Sequence, residues 1–414
     1  MTPQVRLAHR PPNATPLPYT ASPLKLLWDD LRLAVRYAWA LPLLLFPLRL
    51  GKTDRLDELH PSPRNAISVG TQVFLTIFQV FFLLSIPFTV ICMVPALWIL
   101  VYITVTLTSN YVICMILLNG FRRVFVSQVP ISEQPVHTRE RWFFINGIAG
   151  SHSWMQNNLD QLSYTFGRRI TGIHNRTSGI IFDLIECLIQ RCFTYATADV
   201  RDAYPLIKKA LLDPDCDKVV LILHSQGGIE GGLVIDWLFD ELPQPILECL
   251  EVYTFANAAN HFNNPRRIFH AKQNGSEFTA FPSRFDYSVG HIEHYANSAD
   301  MVSLIGVLHF ITIPNRYIGR LFIRAGSGHL LDQHYLDTMF TLGLDHKVLE
   351  NNSFMDMEVE RISNCTPHEN CEETLRPISS TEPQQENHSP VLRVKDYSRL
   401  WQYRNGGIPS EKTD

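Results

Sequence analysis

A serine hydroxyl is a poor nucleophile unless an imidazole can take its proton and backbone amides can hold the oxyanion that follows. One passage of the 414-residue chain has the pattern this chemistry needs: Lys218-Val-Val-Leu-Ile-Leu-His-Ser-Gln-Gly-Gly228. Val219–Leu223 is an unbroken apolar run, as expected of a parallel strand buried on both faces. His224-Ser225-Gln226-Gly227-Gly228 follows at once, and Ile229–Leu242 then reads as a helix. A strand, a sharp turn holding Ser225 and a helix starting on Gly227 and Gly228 make a nucleophile elbow. The two glycines leave room for the helix to start close to the strand.

Groups that could serve this serine lie on both sides of it. Arg141-Trp-Phe-Phe-Ile-Asn-Gly-Ile-Ala-Gly-Ser151 reads as a strand ending in a loop of small residues. Arg169–His174 reads as another strand and Ala198–Leu212 as a helix. Downstream, Leu250–Ala256 and Ile292–Tyr295 read as strands, and the second runs into Ala296-Asn-Ser-Ala-Asp300-Met-Val. A carboxylate just past a late strand is placed to orient an imidazole. Tyr317–Ala325 reads as the last strand, followed by Gly326-Ser-Gly-His329-Leu-Leu-Asp-Gln-His334. No HExxH spacing, no GxxxxGK[ST] loop and no CxxC pair occurs, so no metal and no cofactor is expected.

These motifs resemble the α/β-hydrolase superfamily, whose elbow reads G-x-S-x-G. Ser225, Gln226 and Gly227 fit it, and Leu223 stands where the first glycine would be. YTFANAANHF and HYANSADMVSLIGVLHF are similar to the corresponding stretch of class 3 (fungal-type) lipases, whose triad acid lies in an N-x-x-D-x-V context. The resemblance implies Ser225 as nucleophile and Asp300 as acid. A Gly-His directly after the final strand implies His329 as base, with His334 as the alternative. It further implies an oxyanion hole from the backbone N–H groups of Ile148 and Gln226, with Asn146 in place of a usual His. The order Ser225, Asp300, His329 is that of this fold.

The elements that must hold these groups form an α/β domain over residues 122–350, with a doubly wound, mostly parallel sheet. Before it, Asn65–Phe121 has no Asp, Glu, Lys, Arg or His over 57 residues. As helix that run would extend ~85 Å, against ~20 residues for one span of a bilayer core. A membrane hairpin over 65–121 is therefore expected, with arms near Val73–Met93 and Ala96–Leu118 and Pro87 and Pro95 as breakers. A turn at Thr106–Asn110 is the other division. Lys52, Arg55 and Arg64 precede the run, and Arg122 and Arg123 follow it, so both ends are expected on the cytosolic side. Tyr37–Leu48, within the 1–64 segment, is too short to span and reads either as an interfacial helix or as one packed on the catalytic domain. Residues 351–414 are mostly polar and read as a largely disordered tail, although Tyr397, Leu400, Trp401 and Tyr403 offer it a way to dock.

Composition narrows the function classes. Of the residues, 46% are hydrophobic and 18% charged, and 36 basic against 40 acidic side chains give a formal charge of −4. That balance disfavours a nucleic-acid partner. Eight cysteines are too few for a disulfide scaffold. The expected activity is a membrane-anchored serine hydrolase cleaving lipid acyl esters at an endoplasmic-reticulum or lipid-droplet surface. A lipid transacylase and a catalytically silent scaffold are the alternatives. Asn13, Asn175, Asn274, Asn351, Asn364 and Asn387 head glycosylation sequons, so a glycan at Asn274 or Asn351 would reverse the cytosolic orientation.

Overall fold

The computed structural model describes residues 4–8, 22–48, 53–131, 135–265, 269–273, 276–280, 287–313, 316–362, 373–376 and 392–410. Asn13, Asn274, Asn364 and Asn387, most of the polar tail, and parts of the 260–290 connection lie outside the described residues.

The centre is a seven-stranded, mostly parallel block of a ten-stranded sheet, which Gln4–Ala8, Glu373–Arg376 and Glu360–Ile362 extend in antiparallel fashion beyond the Gly319–Arg324 strand. In chain order its strands are β1 (Val124–Val126), β2 (Glu140–Ile145), β3 (Ile170–Ile173), β4 (Lys218–His224), β5 (Leu250–Phe255), β6 (His291–Asn297) and β7 (Gly319–Arg324). In space they run β1-β3-β2-β4-β5-β6-β7, all parallel except β1. Strands with both faces covered should be apolar throughout, and Val219–Leu223 of β4 are all fully buried. Alternate side chains feed two cores. Trp142, Phe144, Val220 and Ile222 meet helix α4 (His152–Phe166), while Phe143, Ile145, Val219, Leu221 and Leu223 meet α6 (Ala198–Leu211) and α7 (Gly227–Glu241). Leu400, Trp401 and Tyr403, near the end of the chain, are buried in the α4-side core, where Tyr403 meets Trp142 edge-on.

The order of strands decides where a site can form. From β2 the chain moves outward to β3, then returns across β2 to β4 and continues the other way. This reversal opens a crevice between the carboxyl ends of β2 and β4, the place where parallel sheets bind ligands.

The hairpin helices are α2 (Pro63–Ile91) and α3 (Ala96–Cys114), the latter continuing in a wider turn to Asn119. Both are long and apolar enough to cross a membrane. Helix α2 starts nearly three turns earlier than the expected Val73, because Ser62 caps it by accepting from the Asn65 N–H and Pro63 suits the first turn. Pro87 does not break it. Hydroxyls of Ser85 and Thr89 bond the carbonyls of Phe82 and Ile86 beside the missing donor. The turn is at Cys92–Pro95, so Thr106 and Asn110 sit inside α3 and form no turn.

The polar residues of α2 have a use that mean hydropathy hides. Asn65, Ser68, Gln72, Leu75, Gln79 and Phe82 recur at three- and four-residue spacing and form its buried stripe. Ser68 Oγ bonds Ser151 Oγ at 3.0 Å, Gln72 Nε2 donates to the Ala149 carbonyl at 3.0 Å, and Gln79 Nε2 donates to the Ser178 carbonyl at 2.6 Å. On α3, Asn110 also donates to Ser178 O, and Asn119 exchanges two hydrogen bonds with the Thr177 backbone. The hairpin is thereby clamped to the loop after β2 and the loop after β3.

Candidate active site

Ser225 sits at the crest of the elbow with φ +57°, a left-handed backbone that costs a non-glycine residue about 1–3 kcal/mol. The surrounding main chain enforces it. Its N–H donates to Phe255 O at 3.0 Å, and its carbonyl accepts from the N–H groups of Gly228 and Ala258 at 3.0 and 3.1 Å. A Cβ on Gly227 would lie 2.4 Å from Ile145 O, and one on Gly228 2.1 Å from Asn257 Oδ1, so no larger residue fits at either.

Leu223 fits by a different route from the expected glycine. Its side chain turns away into the α7 side, where a Cβ on Gly231 would come within 2.3 Å of Leu223 Cδ1. The space missing at the turn is supplied by Gly231, about one helical turn beyond Gly227. Gly231→Ala should therefore destabilise the protein by about 1–3 kcal/mol through overpacking. Adding Leu223→Ala should return about 1 kcal/mol or more, giving a positive coupling in a denaturation double-mutant cycle. Additive effects would contradict this packing.

From Ser225 a chain of hydrogen bonds runs inward. Ser225 Oγ lies 2.9 Å from His329 Nε2, and His329 Nδ1 lies 3.0 Å from Asp300 Oδ2. Asp300 caps the short helix Met301–Ile305 and is fully buried. Its Oδ1 accepts from the Val302 N–H, and its Oδ2 also accepts from the hydroxyls of Tyr335 at 2.8 Å and Ser303 at 3.2 Å. Burial alone would raise this carboxyl's pKa, but the His329 charge and these hydrogen bonds outweigh it and hold the pKa below the usual value. With an ionised acceptor at Nδ1, the neutral imidazole keeps its proton there and turns the Nε2 lone pair to the serine. Asn297, three residues before the acid, donates to the Gly328 carbonyl at 2.9 Å and steadies the histidine loop.

His334 is placed elsewhere. It is buried in a wide helical turn, Leu331–Leu336, where its Nδ1 accepts from the Leu330 N–H and its Nε2 faces the Pro47 carbonyl at 3.2 Å. It braces the loop that carries His329 and does not reach Ser225.

Two neighbours carry no sequence signal for their role beyond position. His224 Nε2 lies 2.8 Å from the His329 carbonyl, which can only accept, so His224 donates. Burial, with the nearby His329 charge, pushes its pKa down to about 3 and keeps the ring neutral. The other neighbour is a strap, Ala38–Leu44, a short tight helix. Its carbonyls of Leu43 and Leu44 accept from the N–H groups of Gly328 and His329, each at 2.9 Å, and Phe46 O accepts from Ser327 Oγ. Of the two readings of Tyr37–Leu48, an interfacial helix or one packed on the domain, the second describes these contacts, since the segment lies directly on the histidine loop.

On the other side of Ser225 runs the loop after β2. A Cβ on Gly147 would lie 2.5 Å from Ser225 Cβ and 3.0 Å from its Oγ, so the loop passes as closely as glycine permits. Ala149 follows with φ +59°, its N–H held by Asp183 Oδ2 and its carbonyl by Gln72. Asn146 has no imidazole role. Its Oδ1 accepts from the Asn175 N–H, and its amide reaches the carbonyls of Gly147 and Asn175, tying the two loops together. The Gln226 side chain is locked by Asn175, Glu186 and Gln190, which leaves its backbone N–H next to Ser225 in the chain. Asn175, at 2% exposed and so engaged, cannot carry a glycan in this fold.

Among the described residues no group of three His, Cys, Asp or Glu side chains is arranged to hold a metal. No protein-family model matches the chain, and no curated protein matches it in sequence.

Proposed function

We propose that the protein is a membrane-associated serine hydrolase of the α/β-hydrolase type that cleaves lipid acyl esters. The observation that carries this reading is the continuous Ser225–His329–Asp300 hydrogen-bond chain on a strained elbow at the sheet's switch point. In the proposed reaction His329 Nε2 takes the Ser225 proton as Oγ attacks the ester carbonyl carbon. Asp300 stabilises the resulting imidazolium, and the N–H groups of Ile148 and Gln226 receive the oxyanion. The imidazolium then protonates the leaving alcohol, and water activated by the same nitrogen releases the acid from the acyl-enzyme. Leu223, the departure from the elbow pattern, packs against Gly231, which is compatible with a working elbow.

The lipid part rests on exposed apolar surface around the site. Beyond Phe82 and Thr106 the hairpin tip is free of the domain, and from Phe82 to Ile91 it rises about 14 Å, roughly half a ~30 Å core. That reach suits a hairpin dipping into one leaflet with both ends on the same side. Helix α1 (Pro23–Arg36) exposes Leu24, Trp28, Leu31 and Val35, and the strap region exposes Trp39, Leu41 and Phe46. Between α1 and α2 packs α5 (Ile180–Phe193), joined to α1 by the buried Asp30–Arg191 ion pair and exposing Leu184, Ile189 and Phe193. These exposed apolar side chains, on elements packed next to the hairpin, would help seat the catalytic domain on the bilayer. The deciding test is a fluorophosphonate probe on the folded full-length chain, with mapping of the modified peptide. Modification at Ser225, absent in Ser225→Ala, is expected together with acyl-ester hydrolysis by the wild type. An unlabelled Ser225 in folded protein would defeat the enzyme reading.

A further inference from the structure

We infer that the foot of the hairpin holds a binding site for a phosphate group, most directly the head group of an anionic lipid, separate from the Ser225 crevice. A cavity of about 680 Å³ opens where α2 begins and α3 ends, a size within the ordinary range for small-ligand sites. Arg55, Arg64 and Arg122 line it with His60 and His152, and the lining contains no Asp or Glu. Among the described residues none of these three guanidinium groups is paired with a carboxylate. Arg123 and Arg139, by contrast, are paired with Asp202 and Asp217.

Two further features point to an anion. Arg64 stands in the first turn of α2, a helix of 29 residues with no acidic residue in that turn. A cation there opposes the positive end of the helix dipole, and a bound anion would neutralise both. Position supplies the second. Both arms leave the apolar region at this cavity, with Phe121 beside it and 83% exposed, so the arginines stand at head-group depth if the hairpin is embedded. Guanidinium forks match phosphate oxygens two at a time, and a phosphomonoester, with more charge and more free oxygens than a diester, would engage all three. The site depends on the hairpin lying in a membrane and not on Ser225 being a nucleophile.

The test uses the detergent-solubilised full-length chain and calorimetric titration with dioctanoyl phosphatidate, dioctanoyl phosphatidylcholine and glycerol 3-phosphate. Phosphatidate should bind at least tenfold more tightly than phosphatidylcholine. The triple variant Arg55→Gln, Arg64→Gln, Arg122→Gln should lose at least tenfold of that affinity, while Arg32→Gln on α1 should lose none. Tight binding of phosphatidate with weak binding of glycerol 3-phosphate assigns the cavity to a lipid head group. Equal binding of the two assigns it to free phosphate esters, and both results support the site. Phosphatidate binding no tighter than phosphatidylcholine, or unchanged in the triple variant, overturns it. Arg122→Gln alone, beyond the helix and exposed, repeats the measurement with about a threefold loss if the triple variant fails to fold.

Discussion

Replacing Asp300 by Asn is expected to lower kcat for ester hydrolysis by about 10³–10⁴-fold. The size of the effect follows from how many donors converge on one oxygen. Asp300 Oδ2 accepts from His329 Nδ1, the Tyr335 hydroxyl and the Ser303 hydroxyl, while Oδ1 serves the Val302 amide. An asparagine keeping its oxygen toward Val302 turns an NH2 group toward those three donors. His329 can then meet it only by giving up the Nδ1 proton, which moves the proton to Nε2. That nitrogen would donate to Ser225 where it must accept, and the serine would keep its proton. The buried hydroxyls of Tyr335 and Ser303 also lose their acceptor, so a stability loss of about 1–3 kcal/mol should accompany the kinetic defect. Fluorophosphonate modification should slow in parallel, because it needs the same deprotonation. A variant that is folded and keeps a tenth or more of wild-type kcat would show that Asp300 does not set the His329 tautomer.

The elbow was legible because each part of it has a physical signature in one dimension. An apolar run marks a strand buried on both faces, and paired glycines mark a helix pressed against it. His329 and Asp300 could be named by order and by position after strands, although choosing between His329 and His334 needed the three-dimensional path of the loop. The strap could not be found this way. It holds Gly328 and His329 through the carbonyls of Leu43 and Leu44, and a carbonyl is the same on every residue. His224 acts through another backbone oxygen, more than a hundred positions along the chain. The polar stripe of α2 was present in the sequence at helical spacing but was averaged away by apolar neighbours on its other faces. Gly231, inside a helix where glycine costs about 1 kcal/mol relative to alanine, was the available sign that another chain comes close there.

The apolar hairpin and the Ser225 crevice are mechanically joined, which changes what the hairpin would do in the proposed enzyme. A simple anchor would need contact with the domain at its base alone. Here Gln72 reaches the Ala149 carbonyl, two residues beyond Gly147, and Gln79 and Asn110 both hold Ser178. The strap grips the opposite side of the crevice at His329. Both walls of the site are therefore set by segments that also present apolar surface outward, and under the proposed membrane association short paths of hydrogen bonds would couple the position of the bilayer to the geometry around Ser225.

That clamping is why Gly147→Ala should be the second most damaging change, lowering kcat by about 10²–10³-fold with a smaller effect on KM. The new methyl would lie 2.5 Å from Ser225 Cβ, 3.0 Å from its Oγ and 3.3 Å from His224 Nδ1, so a displacement approaching 1 Å is unavoidable. Ser225 cannot yield easily, being fixed by Phe255, Gly228 and Ala258. The loop cannot either, because Asp183 holds the Ala149 N–H and Gln72 its carbonyl. Whichever side moves, the Ile148 N–H, the proposed oxyanion donor, shifts relative to the oxygen that would develop charge. Loss of one such donor costs about 10²–10³ in rate, and misplacement by about 1 Å costs about 10². Because the amide meets the oxyanion and not the ground-state carbonyl, the damage should fall on kcat. Steady-state kinetics on a soluble ester, with a thermal melt to check folding, separates this from simple destabilisation. A folded Gly147→Ala enzyme with kcat within threefold of wild type would mean that the loop relaxes freely, and the oxyanion donor would then have to be sought elsewhere.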